Sequence, residues 1–594
     1  MKYIVLLDGL SLFRVLGLAA RGRQIYLLDE VSSLPGIRQL LRSFSKLLIA
    51  AGRMKRVSDL GGEAEIADIQ RGMSLAADWY RPAEKVMLSH LPSGDPRGTG
   101  SSYDFAAAKQ TVKHGFFYLG VVTFLEKISG THSFSKQPAI TVVGGAPILE
   151  EVYRAIKRLP EGIEFQPSRP WNYGINTLIA IMTVSYAIAE VFRLLRLGAG
   201  TRPVKTMAFD MLDNPDRMLS QITSTINDPQ KDALLVFRNR SDARRMRGHF
   251  NGYACVTFGE GSFSPLQAIE RVLGNMSDGI RLFRRHSHLA PQLFAQIAKL
   301  NVARTRYRAL FNRYDIRNFW GRDEYNAEHI IRSEELRRCG AVSIGLVNGI
   351  NVFGWDVVYR FIDYDRTYVF SPDTFLKYNA DNWRLPKGVR QIGAVAMDRD
   401  ALRRMVREKK TSDIVCFAKG YCDGSDFLDQ IEKVARAFPD REVRVSLKKS
   451  AGRLGGVEAF IDGLRNAPDN LKIVDDASFD LIAECRYVLS GESSIISEAI
   501  NLGSIAFFLD TYPSEEIYIY REYPDLSYRD GDRIVERIRS IENGTWRYPV
   551  ERFAGLADLS GWISFDVIRR DIGLEPIDPP ILRCLWPDNP KAFA

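Results

Sequence analysis

The chain has 594 residues, 45% hydrophobic and 26% charged, with 81 Lys+Arg against 72 Asp+Glu for a formal net charge of +9. That length is too great for one core and predicts two large domains or roughly three to four smaller ones, and the ordinary hydrophobic content excludes a disordered chain. The mild basic excess suits a phosphorylated substrate or anionic lipid; without an aromatic RNP pattern or zinc-finger spacing beside it, no nucleic-acid partner is expected.

From the N-terminus, Tyr3–Leu7 reads as a buried strand that turns at Asp8-Gly9. The turn comes too soon for the apolar core of a signal peptide, so the protein is expected in the cytoplasm. A strand follows at Gln24–Leu28. Ile37, Leu40, Leu41, Phe44, Leu47 and Leu48 then recur at helical spacing, with Arg38, Arg42 and Lys46 off that face. Such a helix packs on a sheet or lies peripherally on an anionic membrane. Further strands are predicted at Ala139–Val143, Ile163–Gln166, Thr206–Phe209, Ala233–Phe237, Ala254–Phe258, Val342–Val347 and Thr367–Phe370. Long helical patterns at about 103–129, 174–196 and 281–300 interrupt them. The uncharged run Pro170–Ala189 contains Pro170, two Asn and Gly174, and Glu190 and Arg193 close it, so a buried helix is expected rather than a span. The cluster Arg238, Arg240, Arg244, Arg245 and Arg247 reads as a solvated helix face.

The C-terminal half alternates more regularly. Strands at Asp413–Ala418, Glu442–Leu447, Leu471–Val474, Tyr487–Leu489 and Ile505–Leu509 are separated by helices at Asp426–Phe438, Val457–Leu464, Phe479–Ala483 and Ser493–Leu502. This alternation predicts a doubly wound parallel sheet over roughly 390–545. The reading is therefore α/β: an N-terminal Rossmann-like domain over 1–388 with helical insertions, and a C-terminal one over 389–594, joined near Pro386–Val389 and facing a cleft. The six cysteines are scattered with no CxxC, so neither a disulfide framework nor a zinc site is expected. Asp363-Tyr364-Asp365 has DxD spacing but precedes a strand and reads as a structural loop; no metal is expected.

The most informative segment is Tyr487-Val-Leu-Ser490-Gly491-Glu492-Ser493-Ser494-Ile-Ile-Ser-Glu498-Ala499. A strand runs into Ser490-Gly491-Glu492 and a helix is predicted to open at Ser493-Ser494. Gly491 lets backbone approach a ligand, and first-turn amides with two hydroxyls suit a phosphate. Glu498, about one turn further in, could reach a ribose or base. Plain N-capping by serine accounts for the same residues.

This strand–SGxSS–helix–E pattern, followed by Asn501-Leu-Gly503, resembles the C-domain of bacterial surface-polysaccharide transferases of GT-B fold, those using CMP-Kdo or CMP-sialic acid and the CDP-glycerol phosphotransferases. Gly340–Ile350 and Tyr364–Pro372 resemble the two strands that close the N-domain in the same group. The resemblance implies a metal-independent glycosyltransferase that takes its nucleotide-sugar as substrate, with no cofactor, and passes the sugar to a surface glycan or lipid-linked acceptor. It implies nucleotide phosphate contacts at Ser493 and Ser494. The group's His-Gly is Asn348-Gly349 here, a substrate-binding candidate. Its His-Pro is replaced by Lys448-Lys449-Ser450, and no histidine lies beyond His329. Lys448, Lys449 or Arg453 could instead supply positive charge to the leaving phosphate. Asp8 and Asp210, at predicted strand ends, are candidate bases for the acceptor hydroxyl. An alditol-phosphate transferase, a nucleotide-sugar epimerase and a non-catalytic binding or assembly subunit are alternatives on the same scaffold.

Overall fold

The computed structural model describes residues 3–6, 24–27, 43, 46–56, 82, 85, 86, 89, 101–113, 140–143, 147–156, 163–166, 169–197, 202–211, 214–347, 361–378, 388–395, 397–418, 425–447, 467–474, 478–491, 493–511 and 519–586. Their strands form three parallel sheets. The first holds β1 Tyr3–Leu6, β2 Gln24–Leu27, β3 Met54–Arg56, β4 Ile140–Val143 and β5 Ile163–Gln166, in the order β3-β2-β1-β4-β5. The second holds β6 Val204–Asp210, β7 Ala233–Phe237, β8 Ala254–Thr257, β9 Asp315–Gly321, β10 Val342–Leu346, β11 Arg366–Val369 and β12 Val389–Gln391. Its order is β12-β11-β10-β9-β6-β7-β8. The third holds β13 Thr411–Ala418, β14 Val443–Leu447, β15 Leu471–Val474, β16 Cys485–Ser490, β17 Ile505–Leu509 and β18 Ser527–Tyr528, in the order β15-β14-β13-β16-β17-β18.

The parallel α/β class agrees with the alternation read from the sequence. The N-terminal half, however, carries two sheets rather than one domain with insertions. β12 pairs with β11, so the middle sheet continues through the join expected at Pro386–Val389. β9 escaped the sequence reading because it follows a long helix with only Tyr314 between them. Yet β9 pairs with both β6 and β10 and is central to its sheet.

Alternation along the strands explains the layering. In β7, Ala233, Leu235 and Phe237 belong to one core, while Leu234 and Val236 belong to another on the opposite face. Met207 and Phe209 of β6 join the first core and Ala208 the second. The first core continues into the third sheet, so the middle and C-terminal units share one apolar interior.

The helices of the middle unit include α1 Arg169–Arg193, α2 Pro215–Thr225, α3 Pro265–His286, α4 Pro291–Arg313 and α5 Glu328–Arg338. Proline in the first turn opens α2, α3 and α4, where the missing N–H costs nothing. Pro291 thus divides the pattern expected over 281–300 between α3 and α4. Pro170 lies in the first turn of α1, so it does not break that helix. The expectation that Pro170–Ala189 is buried is corrected. Only 39% of the apolar window in Tyr173–Arg193 is buried, and Leu178, Ile181, Met182 and Tyr186 are exposed. The amphipathic helix expected over Ile37–Leu48 falls largely outside the described residues; Leu47 is exposed.

The helices of the C-terminal unit include α6 Arg399–Arg407, α7 Ile495–Asn501 and α8 Ser564–Asp571. The last of these returns to the middle sheet. Asp566 pairs with Arg399 at 2.6 Å. Arg569 donates to the Thr225 carbonyl at 3.0 Å and to Asn227 Oδ1 at 2.6 Å, just beyond α2. The Tyr368 hydroxyl of β11 donates to Asp571 at 2.7 Å.

Candidate functional site

In each of the two larger sheets the chain reverses its direction of travel once. β6 leads outward through β7 to β8, and β9 then returns to the other side of β6 before β10 to β12 extend that way. Likewise β13 leads to β14 and β15, and β16 returns to its other side. At such a switch point neighbouring loops part in opposite directions and leave a crevice beyond the strands' carboxyl ends. The residues there are Asp210, Arg322 and Asp323 in the middle sheet, and Ala418, Ser490 and Gly491 in the C-terminal sheet.

Ser490 is fully buried, and its hydroxyl donates to the Phe417 carbonyl at 3.1 Å, tying β16 to β13. Gly491 is buried, while Ser493 and Ser494 are half-buried. α7 starts at Ile495 rather than at Ser493, with Ser494 as its cap residue and no side-chain capping bond from it. Ser493 Oγ instead accepts from the Ile495 amide at 3.4 Å, and its carbonyl accepts from the Tyr520 hydroxyl at 2.5 Å. The local capping role therefore exists, and Ser493 performs it. With seven residues, α7 offers only a short stack of peptide dipoles.

α7 is buried along its whole length. Asn501 Oδ1 accepts from the Ala394 amide at 2.9 Å, and its Nδ2 donates to the Asp558 carbonyl at 2.7 Å. Ser497 donates to the Leu556 carbonyl at 2.6 Å. The chain at Gly393 lies so close that an added Cβ would meet the Asn501 side chain at 2.2 Å. These contacts fix the helix and with it Glu498.

Glu498 is the chemically unusual group. Burial pushes its carboxyl from 4.5 up to about 7, against the attraction of Arg217 and Arg322. Both arginines belong to the other unit. α2 begins directly after β6: Asn214 Oδ1 accepts from the Asp216 amide at 2.9 Å and Pro215 takes the first helical position, which sets Arg217 in the first turn. Arg322 follows β9. Both are half-buried. The Glu498 helix at one switch point is thus faced by cations from the other.

Next to Arg322 is a buried ion cluster. Arg332 of α5 donates to Asp323 at 2.6 and 2.9 Å and to Asp210 at 3.1 Å. Arg238, just past β7, reaches Asp323 at 3.3 Å and Asp210 at 3.5 Å. Tyr364 donates to Asp323 at 3.0 Å. Burial and the neighbouring Asp323 push the Asp210 carboxyl up. Against the same burial, Arg332 and, more weakly, Arg238 hold Asp323 below the ordinary carboxylate range. Asp210 Oδ1 is buried with no hydrogen-bond partner. At Gly321 an added Cβ would sit 2.2 Å from the Arg332 guanidinium, so that close approach needs glycine.

Arg238 also lines a cavity of about 490 Å³ beyond β7 and β8, with Arg193, Arg240, Arg306, Glu190 and Tyr186 among its walls. Arg238 is therefore half-buried in the ion cluster, not part of the solvated face read from the sequence; Arg244 and Arg245 are exposed. Asp363 and Asp365 both pair with Arg337 at 2.7 Å, and Asp365 accepts from the Ser343 amide and hydroxyl at 2.8 Å. That DxD is a structural loop. His329 is buried, stacked on Tyr364, and burial holds it well below its ordinary pKa and therefore neutral.

Asp8, Asn348, Gly349, Lys448, Lys449, Arg453 and Glu492 lie outside the described residues. The sequence reading missed Arg217 and Arg322. Asn214-Pro215 was a usable helix-start signal for the first; the second needed β9.

No protein-family profile matches the chain, and no curated protein matches it. Among solved structures it is similar to UDP-GlcNAc 2-epimerase from Neisseria meningitidis bound to UDP-GlcNAc, at 10% identity and TM-score 0.35, over 66% of this chain and 98% of that one. An Anabaena protein in complex with UDP matches at 10% identity and TM-score 0.36, over 63% and 98%. An O-GlcNAc transferase mutant from Thermobaculum terrenum matches at 11% identity and TM-score 0.29, over 86% and 96%.

Proposed function

We propose that the chain is a GT-B-type glycosyltransferase that moves a sugar from a nucleotide-sugar donor to a surface glycan or lipid-linked acceptor. The observation that carries this reading is Glu498, buried at one switch point and faced by Arg217 and Arg322 from the other. Two parallel sheets arranged in this way hold a ligand between them, where each sheet contributes the loops beyond its strands. Two guanidinium groups and the hydroxyls of Ser493 and Ser494 match the charge and acceptor oxygens of a nucleotide phosphate.

In this scheme Arg217 and Arg322 stabilise the negative charge that develops on the departing nucleotide, the contribution that matters most when the sugar–phosphate bond breaks. Glu498 accepts hydrogen bonds from ribose hydroxyls. Lys448, Lys449 and Arg453 are proposed to add positive charge near the phosphate, and Asn348-Gly349 to contact substrate. Asp8 is the proposed base, because Asp210 is held by Arg332 and Arg238. No metal enters the scheme. The enzyme is proposed to act in the cytoplasm, with peripheral access to the membrane's inner face.

Thermal-shift titration with UDP, CDP, CMP and GDP tests the proposal. One nucleotide should stabilise the protein, by about 2.7 kcal/mol at a hundredfold excess over its Kd, and Arg322→Ala should abolish that shift. Silence from all four nucleotides sinks the reading. Incubation with the matching nucleotide-sugar then separates transfer from epimerisation, since only an epimerase interconverts the donor sugar.

A further inference from the structure

α3 is built inside out. Its inward side carries a polar network: Arg271 donates to Asn275 at 2.7 and 2.9 Å, to Asp278 at 2.7 Å and to Asn301 of α4 at 3.1 Å. Arg304 of α4 closes the network on Asp278 at 3.1 Å, and Thr305 donates to Asn275 at 2.9 Å. Its outward side carries Leu266, Ile269, Leu273, Met276 and Ile280, which are 48–77% exposed. The spacing of three and four residues makes them one straight stripe, about 21 Å long at 1.5 Å per residue. An ordinary surface helix has the opposite arrangement.

α1 extends the stripe sideways. The two helices run antiparallel: Asn176 near the start of α1 donates to Ser287 and Leu289 beyond the end of α3, and Phe263 before α3 bonds backbone to backbone with Leu194 after α1. They meet closely, since a Cβ on Gly279 would sit 2.3 Å from Val184. Leu178, Ile181, Met182, Tyr186 and Phe192 are exposed on α1, and no exposed residue from Tyr173 to Phe192 is charged. The two helices together make an apolar layer too continuous to be ordinary exposed surface.

The charges around the layer identify its occupant. Arg281 and Arg284 lie at one end and Arg196 at the other, all exposed, with Arg193 beside Arg196 but paired with Glu190 at 2.7 Å. The exposed carboxylate on α3 is Glu270, which pairs with Arg308 at 2.9 Å. Tyr186 and Arg193 also line the arginine cavity, which therefore adjoins the layer. Two copies stacked on these faces would bring cationic ends together with few acids to offset them. Anionic headgroups complement the arginines at both ends.

We infer that the outward faces of α1 and α3 form a surface that docks on an anionic phospholipid bilayer, with the arginine cavity brought to the headgroup layer. The helices lie on the bilayer and do not cross it, because Asn176, Thr183 and Glu190 hold the other side of α1 inside the protein. This inference goes beyond the transfer reading and does not rest on it.

The test is co-sedimentation of the full chain with phosphatidylcholine vesicles and with vesicles that also carry phosphatidylglycerol. Binding is expected to the anionic vesicles, to weaken with salt, and to fall by about tenfold or more in Leu273→Glu, which loses one inserted apolar side chain and adds repulsion. Arg281→Glu with Arg284→Glu should lower it comparably. Because Leu273 is exposed, its variant should keep the native thermal midpoint and any nucleotide-induced shift, so a failure of docking is distinguishable from a failure of the transfer site. No binding to either vesicle, or unchanged binding by Leu273→Glu, overturns the inference. So does a solution dimer, seen by light scattering, that Leu273→Glu dissociates.

Discussion

Glu498 holds its proton at a pH where a free glutamate would have lost it. Between pH 4.5, its ordinary value, and about 7, the folded protein keeps that proton while the unfolded chain releases it. The folded state therefore binds more protons in this window, and stability falls as pH rises through it, then levels off above about 7. Glu498→Gln removes the titration. The variant is expected to match the parent near pH 4.5 and to exceed it at pH 8 by on the order of 2 to 3 kcal/mol. Urea unfolding at the two pH values measures this, and a parent whose stability is flat across the window contradicts it. A bound nucleotide whose ribose donates to Glu498 would favour the carboxylate and shift the titration lower.

At the scale of elements, α7 shows how a short helix is made rigid. Seven residues form too few internal hydrogen bonds for independent stability, so its position depends on side chains that reach out of it. Asn501 bonds Ala394 on one side and Asp558 on the other. Asn501→Ala leaves both backbone groups buried without a partner, and is expected to cost about 2 to 4 kcal/mol and to weaken nucleotide binding. Denaturant titration and the nucleotide shift, measured on the same preparation, check the two halves of that statement. α3 is the contrasting case. Its stripe at 266, 269, 273, 276 and 280 is legible as a helical period, but the period does not say which side faces in. Arg304, Asn301 and Thr305 on α4 decide that by giving the polar side its partners.

For the whole molecule, the relation between the middle and C-terminal units depends on the return of α8. Asp566 is fully buried between Arg399 and the Ile577 amide, and Arg569 bonds the end of α2, the helix that carries Arg217. Asp566→Ala removes one partner of a buried ion pair and leaves Arg399 with Asp578. The expected loss is about 3 kcal/mol. Unfolding followed by tryptophan fluorescence and by circular dichroism should then cease to coincide, as the two units separate before either melts. Coincident transitions at the parent's midpoint would show that the shared apolar core alone holds the units together.

Much of this architecture depends on neighbours along the chain, and such features can be read without coordinates. Strands β4, β5, β7, β15 and β17 were predicted to within a residue, because runs such as Ala233–Phe237 have apolar, β-branched or aromatic side chains wherever they are placed. The switch-point segment Ser490–Glu498 was legible for the same reason: a strand, a glycine and a helix start are consecutive. β9 was not, since its composition Asp-Ile-Arg-Asn-Phe-Trp-Gly is mixed and only its place between β6 and β10 makes it a strand. The partners of Glu498, the engagement of Asp210 by Arg332 and the outward apolar side of α3 were decided by tertiary structure. Each joins groups far apart in sequence, and sheet order rather than local preference brings them together.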